Sequence, residues 1–149
     1  MEFERVKARE KLSQTEKQLS GILYERGVDG QGFAIIRSKG DMALFNMPTR
    51  QLKRKMGVPE SRPVADFLPT ISIKAKDLSA EMTSLNVQNN DLHGQNIIER
   101  EHTENNQAVR KMLLDRGIVP EKLPPAEDVK KIQRKLESDE TRILKGNKK

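Results

Sequence analysis

Apolar residues in this chain recur at alternating steps of four and three. Ile71, Ala75, Leu78, Met82 and Leu85 keep that spacing, and Leu92 prolongs it through Asn89. Only a helix brings residues so spaced onto one side. Ala8, Leu12, Thr15, Leu19 and Ile22 repeat the steps near the start, in a run rich in the helix formers Glu, Lys, Gln and Arg. Ile98, His102, Asn105, Val109 and Met112 make a third stripe with Leu113 beside it, and Val129, Ile132, Leu136 and Ile143 a fourth. The fourth opens on Pro124–Pro125 and on Glu127–Asp128, which suit the positive end of a helix dipole. The spacing predicts a mainly α fold in one domain over residues 1–149. Four principal amphipathic helices fall near residues 3–26, 71–92, 97–116 and 125–144, with a short helix at 49–56.

Three glycines mark where helices stop. Arg26–Gly27–Val28, Met56–Gly57–Val58 and Arg116–Gly117–Ile118 each place Gly where a left-handed residue ends a helix, followed by a β-branched residue that folds back. Ile118 is expected to touch Leu113. Between residues 28 and 48 the helical pattern fails. Gly30, Gly32 and Gly40 surround two short apolar runs, Phe33 to Ile36 and Met42 to Phe45, separated by Ser38–Lys39–Gly40–Asp41. That chemistry predicts a small β-hairpin or ordered loop near residues 33–45. Residues 59–70, with Pro59, Pro63 and Pro69, form an irregular link whose Val64, Ala65, Phe67 and Leu68 pack down over the helices.

Stripes this narrow enclose little volume. Hydrophobic residues make up 34% of the chain, charged residues another 34% and aromatics 3%, poor material for a large single-chain core. The composition therefore points to a homodimer, with the seam on Ala8 to Ile22 and on Ile71 to Leu85. No apolar run approaches the roughly 18 residues a membrane helix needs, and the start of the chain has no signal-peptide pattern. Cysteine is absent, which suits a cytoplasmic setting and removes thiol nucleophiles and Cys-based zinc sites.

Catalytic chemistry finds few residues to use. His93 and His102 have no Ser elbow or metal-ligand spacing around them, and His102, beside Asn105 on an apolar stripe, reads as a buried polar residue that fixes packing. Asp128–Val129–Lys130 is the sole acid-x-Lys triplet, and a helix start accounts for its acid. No phosphate-binding loop is present. The sequence thus predicts no catalytic residue, no metal and no cofactor, and leaves a Mg²⁺-dependent nuclease as the remotest reading.

The net charge is +6 and unevenly spread. One surplus lies at Arg37, Lys39, Arg50, Lys53, Arg54, Lys55 and Arg62, the other in the last helix with its Lys148–Lys149 tail. The first is the candidate nucleic-acid contact, indifferent to base sequence. A helix-turn-helix over residues 49–68 is excluded, because Pro59 and Pro63 fall at the start and inside its second helix.

Taken in order, Gly32–Phe33, Ile36–Arg37–Ser38–Lys39–Gly40–Asp41, Ala43–Leu44–Phe45 and Gly57–Val58–Pro59 form a recognisable series. It continues through Arg62–Pro63–Val64–Ala65–Asp66–Phe67–Leu68–Pro69, Ile73–Lys74–Ala75–Lys76–Asp77, Glu101–His102 with Asn105–Asn106, and Val109–Arg110. It closes on Arg116–Gly117–Ile118, Pro120–Glu121–Lys122–Leu123–Pro124–Pro125 and Glu127 to Lys131. From about residue 10 to 137 the chain resembles the carboxy-terminal part of the DNA-damage-inducible protein D family of bacteria. The resemblance implies expression after DNA damage and a non-enzymatic interaction module acting on recombination or repair assemblies, for example a recombinase filament. Members of that family begin with a BRO-type domain that has no counterpart in residues 1–8, so no DNA-binding role of that domain is carried to these residues. The family supplies no catalytic residues. A nucleic-acid-binding protein working through the basic stretch is the competing expectation.

Overall fold

The computed structural model describes residues 2–146, so the Lys148–Lys149 tail lies outside the described residues. Six α-helices follow one another among them: α1 (Glu2–Tyr24), α2 (Gly30–Phe45), α3 (Thr49–Met56), α4 (Thr70–Asn89), α5 (Gln95–Asp115) and α6 (Val129–Gly146). Short 3-10 turns occupy Val64–Phe67 and Pro120–Lys122. The mainly α expectation holds, and α3 has the predicted bounds. The last helix starts later than expected because the Asp128 carboxylate caps it, accepting from the Lys130 N–H at 3.0 Å.

All three glycine stops form. Gly27, Gly57 and Gly117 have φ of +90°, +72° and +80°. The amides of Val28, Val58 and Ile118 reach back to the carbonyls of Leu23, Lys53 and Leu113 at 3.0, 2.9 and 2.9 Å, the closing bond of a Schellman turn. Ile118 packs against the cluster that contains Leu113.

The hairpin near residues 33–45 does not exist; that segment is the body of α2, and no strand occurs among the described residues. Asp29 caps α2 by accepting from the Gly32 N–H at 2.8 Å. Two of its glycines serve helix contact instead of a turn. A Cβ on Gly32 would fall 2.7 Å from the Gln95 Oε1, and one on Gly40 would fall 2.6 Å from the His102 Nε2. Gly32, Ile36, Gly40 and Leu44, four residues apart, are the buried line of α2.

Helices α1 and α4 run side by side in one direction, since Arg5 bonds the Leu68 carbonyl before α4 and Lys11 reaches Glu81 further along. Gly40 against His102 and the Leu44 carbonyl against Arg110 give α2 and α5 the same relation. The bundle is therefore two antiparallel helical hairpins, α1–α2 and α4–α5, packed against each other. At one end their turns are tied by the Gly94 N–H on the Arg26 carbonyl at 2.9 Å. At the other end α3, the Val64–Phe67 turn and α6 cover the core.

That core is split. Leu12, Leu44, Phe45, Leu52, Leu68 and Ile73 anchor one apolar cluster, and Leu19, Leu23, Ile36, Val87 and Ile98 anchor a second. A satellite joins Val6 to Val129 and Ile132. The α1 stripe is thus internal. On α4 the stripe read from sequence points largely outward: Ile71, Leu78 and Leu85 are 41%, 43% and 57% exposed. The helix buries Ile73, Lys76, Ser79, Ala80, Thr83 and Val87 instead. Small and hydroxylated side chains let its neighbours approach closely, and their hydroxyls bond back into the helix, Ser79 to the Ala75 carbonyl at 3.0 Å and Thr83 to that of Ser79 at 2.9 Å. Leu136 and Ile143 of α6 and Met112 of α5 are likewise exposed.

Candidate functional site

A polar belt lies between the two apolar clusters. Lys76 from α4 meets Asp41 from α2 at 2.9 Å, with both side chains 10% exposed. The other Asp41 oxygen accepts from the Thr49 hydroxyl at 2.8 Å, which joins α3 to the pair. Thr83 gives its one proton to the Ser79 carbonyl, so the His102 Nδ1, 2.7 Å away, must donate to it. Asn105 adds a second donor to the same oxygen at 3.0 Å. The His102 Nε2 is left as an acceptor for the Asn106 amide at 3.3 Å. Burial pushes the imidazole pKa down from 6.5 to about 4, with Lys76 and Arg37 adding to the effect and Asp41 opposing it. His102 is therefore neutral and fully bonded. Beside it lies a cavity of about 20 Å³ touching Asp41, Lys76 and Asn106, room for one water. This belt holds the helices in register.

The surface carries the basic residues. Arg37, Lys53 and Arg62 line a groove of about 350 Å³ between α2, α3 and residues 61–65, with Asp41, Thr49 and Lys76 at its floor. Beside it lies a hollow of about 430 Å³ with apolar walls, Ala34, Ile35, Met42 and Pro48, and with Lys39 and Arg50 on its rim. Ser38 and Thr49 border both. Five of the seven candidate cations thus meet at one edge of the bundle. Lys55 turns away to the Glu121 carbonyl at 2.6 Å, and Arg54 lines neither hollow.

Within that edge the charges are not equivalent. Arg37 pairs with Glu16 at 2.6 Å and lies over the Phe33 ring, and Lys39 is 3.7 Å from Glu99. Arg62 forks onto both oxygens of Asp128 at 2.9 and 2.7 Å and reaches Asp66 at 2.9 Å, contacts that hold its pKa above the usual guanidinium value. It staples α6 to the Val64–Phe67 turn. Lys53 donates to the Glu60 carbonyl at 3.1 Å. Among the described residues Lys53, Arg50 and Arg54 have no carboxylate partner. Sequence reading could rank these cations only by proximity. It missed the apolar hollow at Ile35 and Met42, because a hairpin was expected there.

It also missed the arginines that act inside the fold. Arg5, 5% exposed, donates to the Leu68 and Asp66 carbonyls at 2.8 and 2.7 Å. Arg9 meets the Asp66 carboxylate at 2.8 Å. Arg110 forks onto Glu121 at 2.8 and 3.0 Å and caps α2 through the Leu44 carbonyl at 3.0 Å. Burial pushes the Glu121 carboxyl up, but the Arg110 bonds, its own backbone and Lys55 outweigh this and hold it below the usual range. Arg62 likewise holds Asp128 low, the acid of the acid-x-Lys triplet. Among the described residues no three His, Asp or Glu side chains are placed to hold a metal ion, and no helix is long and apolar enough to cross a membrane.

The family model of the DinD C-terminal domain matches residues 2–132 of the chain. No curated protein matches the chain.

Proposed function

The chain belongs to the DinD C-terminal domain family, whose role is DNA-damage-related, and from that premise we propose that it is a non-enzymatic interaction module. Its partner is a recombination or repair assembly, for example a recombinase filament on single-stranded DNA. The observation that carries the reading is the α2–α3 edge, where an apolar hollow is rimmed by Lys39 and Arg50 and adjoins a cationic groove. Apolar floor and basic rim together fit an acidic protein surface with a projecting apolar side chain, lying beside a phosphate backbone.

A second reading rests on Arg50, Lys53 and Arg54, which among the described residues have no carboxylate partner: the chain binds nucleic acid directly. Fluorescence anisotropy of the labelled chain against three probes separates the two. The first reading expects tighter binding to recombinase-coated single-stranded DNA than to the recombinase or the DNA alone. Equal, steeply salt-dependent binding to naked DNA would favour the second.

A further inference from the structure

The outer side of α4 carries an apolar line centred on one residue. Ile71, Leu78 and Leu85 stand seven residues apart and exposed. Half-buried Met82 and buried Ala75 fill the steps between them. Read from Leu78, the line is the same in both directions, with an apolar residue three or four positions away and another at seven. Charge follows the same centre. Lys74 lies four residues before Leu78 and is exposed with no partner among the described residues, while Glu81 lies three residues after it, 54% exposed and bonded through one oxygen to Lys11.

We propose that the chain pairs with a second copy of itself along α4, antiparallel, with the two-fold axis at Leu78. In that register Ile71 of one copy meets Leu85 of the other, Leu78 meets Leu78, and Lys74 faces Glu81 on both sides of the axis. In a parallel pairing Lys74 and Glu81 of the two copies lie on opposite sides of the seam, so the match between them is lost. The α1 line from Ala8 to Ile22 takes no part, since its leucines are consumed within the bundle. Met112 widens the seam: residues 101, 105, 108 and 112 share one side of α5, and Glu101 and Asn105 on that side bond to α4. The pairing is independent of which assembly the chain contacts. It also gives each particle two basic edges, so that a repeating partner is gripped twice.

Sedimentation of the full chain at micromolar concentration tests this. The expected mass is twice 17.0 kDa, falling to the monomer for Leu78→Asp with helical circular dichroism retained. Lys74→Glu and Glu81→Lys should each weaken pairing about tenfold, and the two together should restore it. Because the chain has no cysteine, Leu78→Cys should crosslink to itself with a short bis-maleimide, whereas Tyr24→Cys should not. A strict monomer, or a dimer indifferent to Leu78→Asp, would overturn the seam. Single charge variants that weaken pairing without mutual rescue would overturn its register.

Discussion

Gly40 of α2 and His102 of α5 share one crossing point, where a Cβ on the glycine would stand 2.6 Å from the imidazole Nε2 and 2.9 Å from the Asn106 amide nitrogen. The glycine is the condition for the histidine: without a side chain on α2, α5 approaches closely enough to bury an imidazole whose other nitrogen bonds Thr83.

Gly40→Ala should therefore destabilise the fold by about 1–3 kcal/mol in urea denaturation, although alanine is the better helix former. Gly21→Ala is the control. It lies in α1 with nothing within 4 Å of its added Cβ and should raise stability by up to about 1 kcal/mol. Equal effects at the two sites would contradict the close crossing.

His102 makes stability fall on mild acidification. Its folded pKa is lowered from 6.5 to about 4, so the unfolded chain takes up a proton that the folded chain refuses. The contribution is complete above pH 6.5 and is lost between there and pH 4, amounting to about 3 kcal/mol. His102→Gln should be less stable at neutral pH yet flatter across that window. Parallel curves for the two proteins would show that His102 is not buried neutral.

Asp66, 2% exposed, accepts from Arg9 and Arg62 at once. Asp66→Ala should cost roughly 2–3 kcal/mol, less than for a fully enclosed pair because both arginines keep some contact with water. It should also loosen α6, whose start depends on Arg62 through Asp128. Hydrogen exchange at Val129 to Gln133 that stays as slow as in the parent would contradict that link.

How much of this was legible in the sequence depended on what a residue signals locally. The stops at Gly27, Gly57 and Gly117 are backbone events within five residues, so spacing revealed them. The α1 stripe was found because Leu12 and Leu19 are both large and buried. Helix α2 was missed because Gly32 and Gly40 carry the local signature of turns, whereas their role is set by Gln95 and His102, more than sixty residues away. On α4 the largest side chains mark the outer face, so a rule that sends large apolar residues inward chose the wrong side. Five of the seven candidate cations do share one edge, but that Arg62 is committed to Asp66 and Asp128 follows only from three-dimensional packing.

The most direct test of the proposed role lies at the α2–α3 edge. Arg50→Glu combined with Lys53→Glu reverses two cations that have no carboxylate partner among the described residues, so the fold should be unaffected. Binding of this variant and of the parent to recombinase-coated single-stranded DNA is to be compared by anisotropy at one fixed salt concentration. The account predicts a loss of about tenfold or more with unchanged circular dichroism. Equal affinity of the two proteins would contradict it.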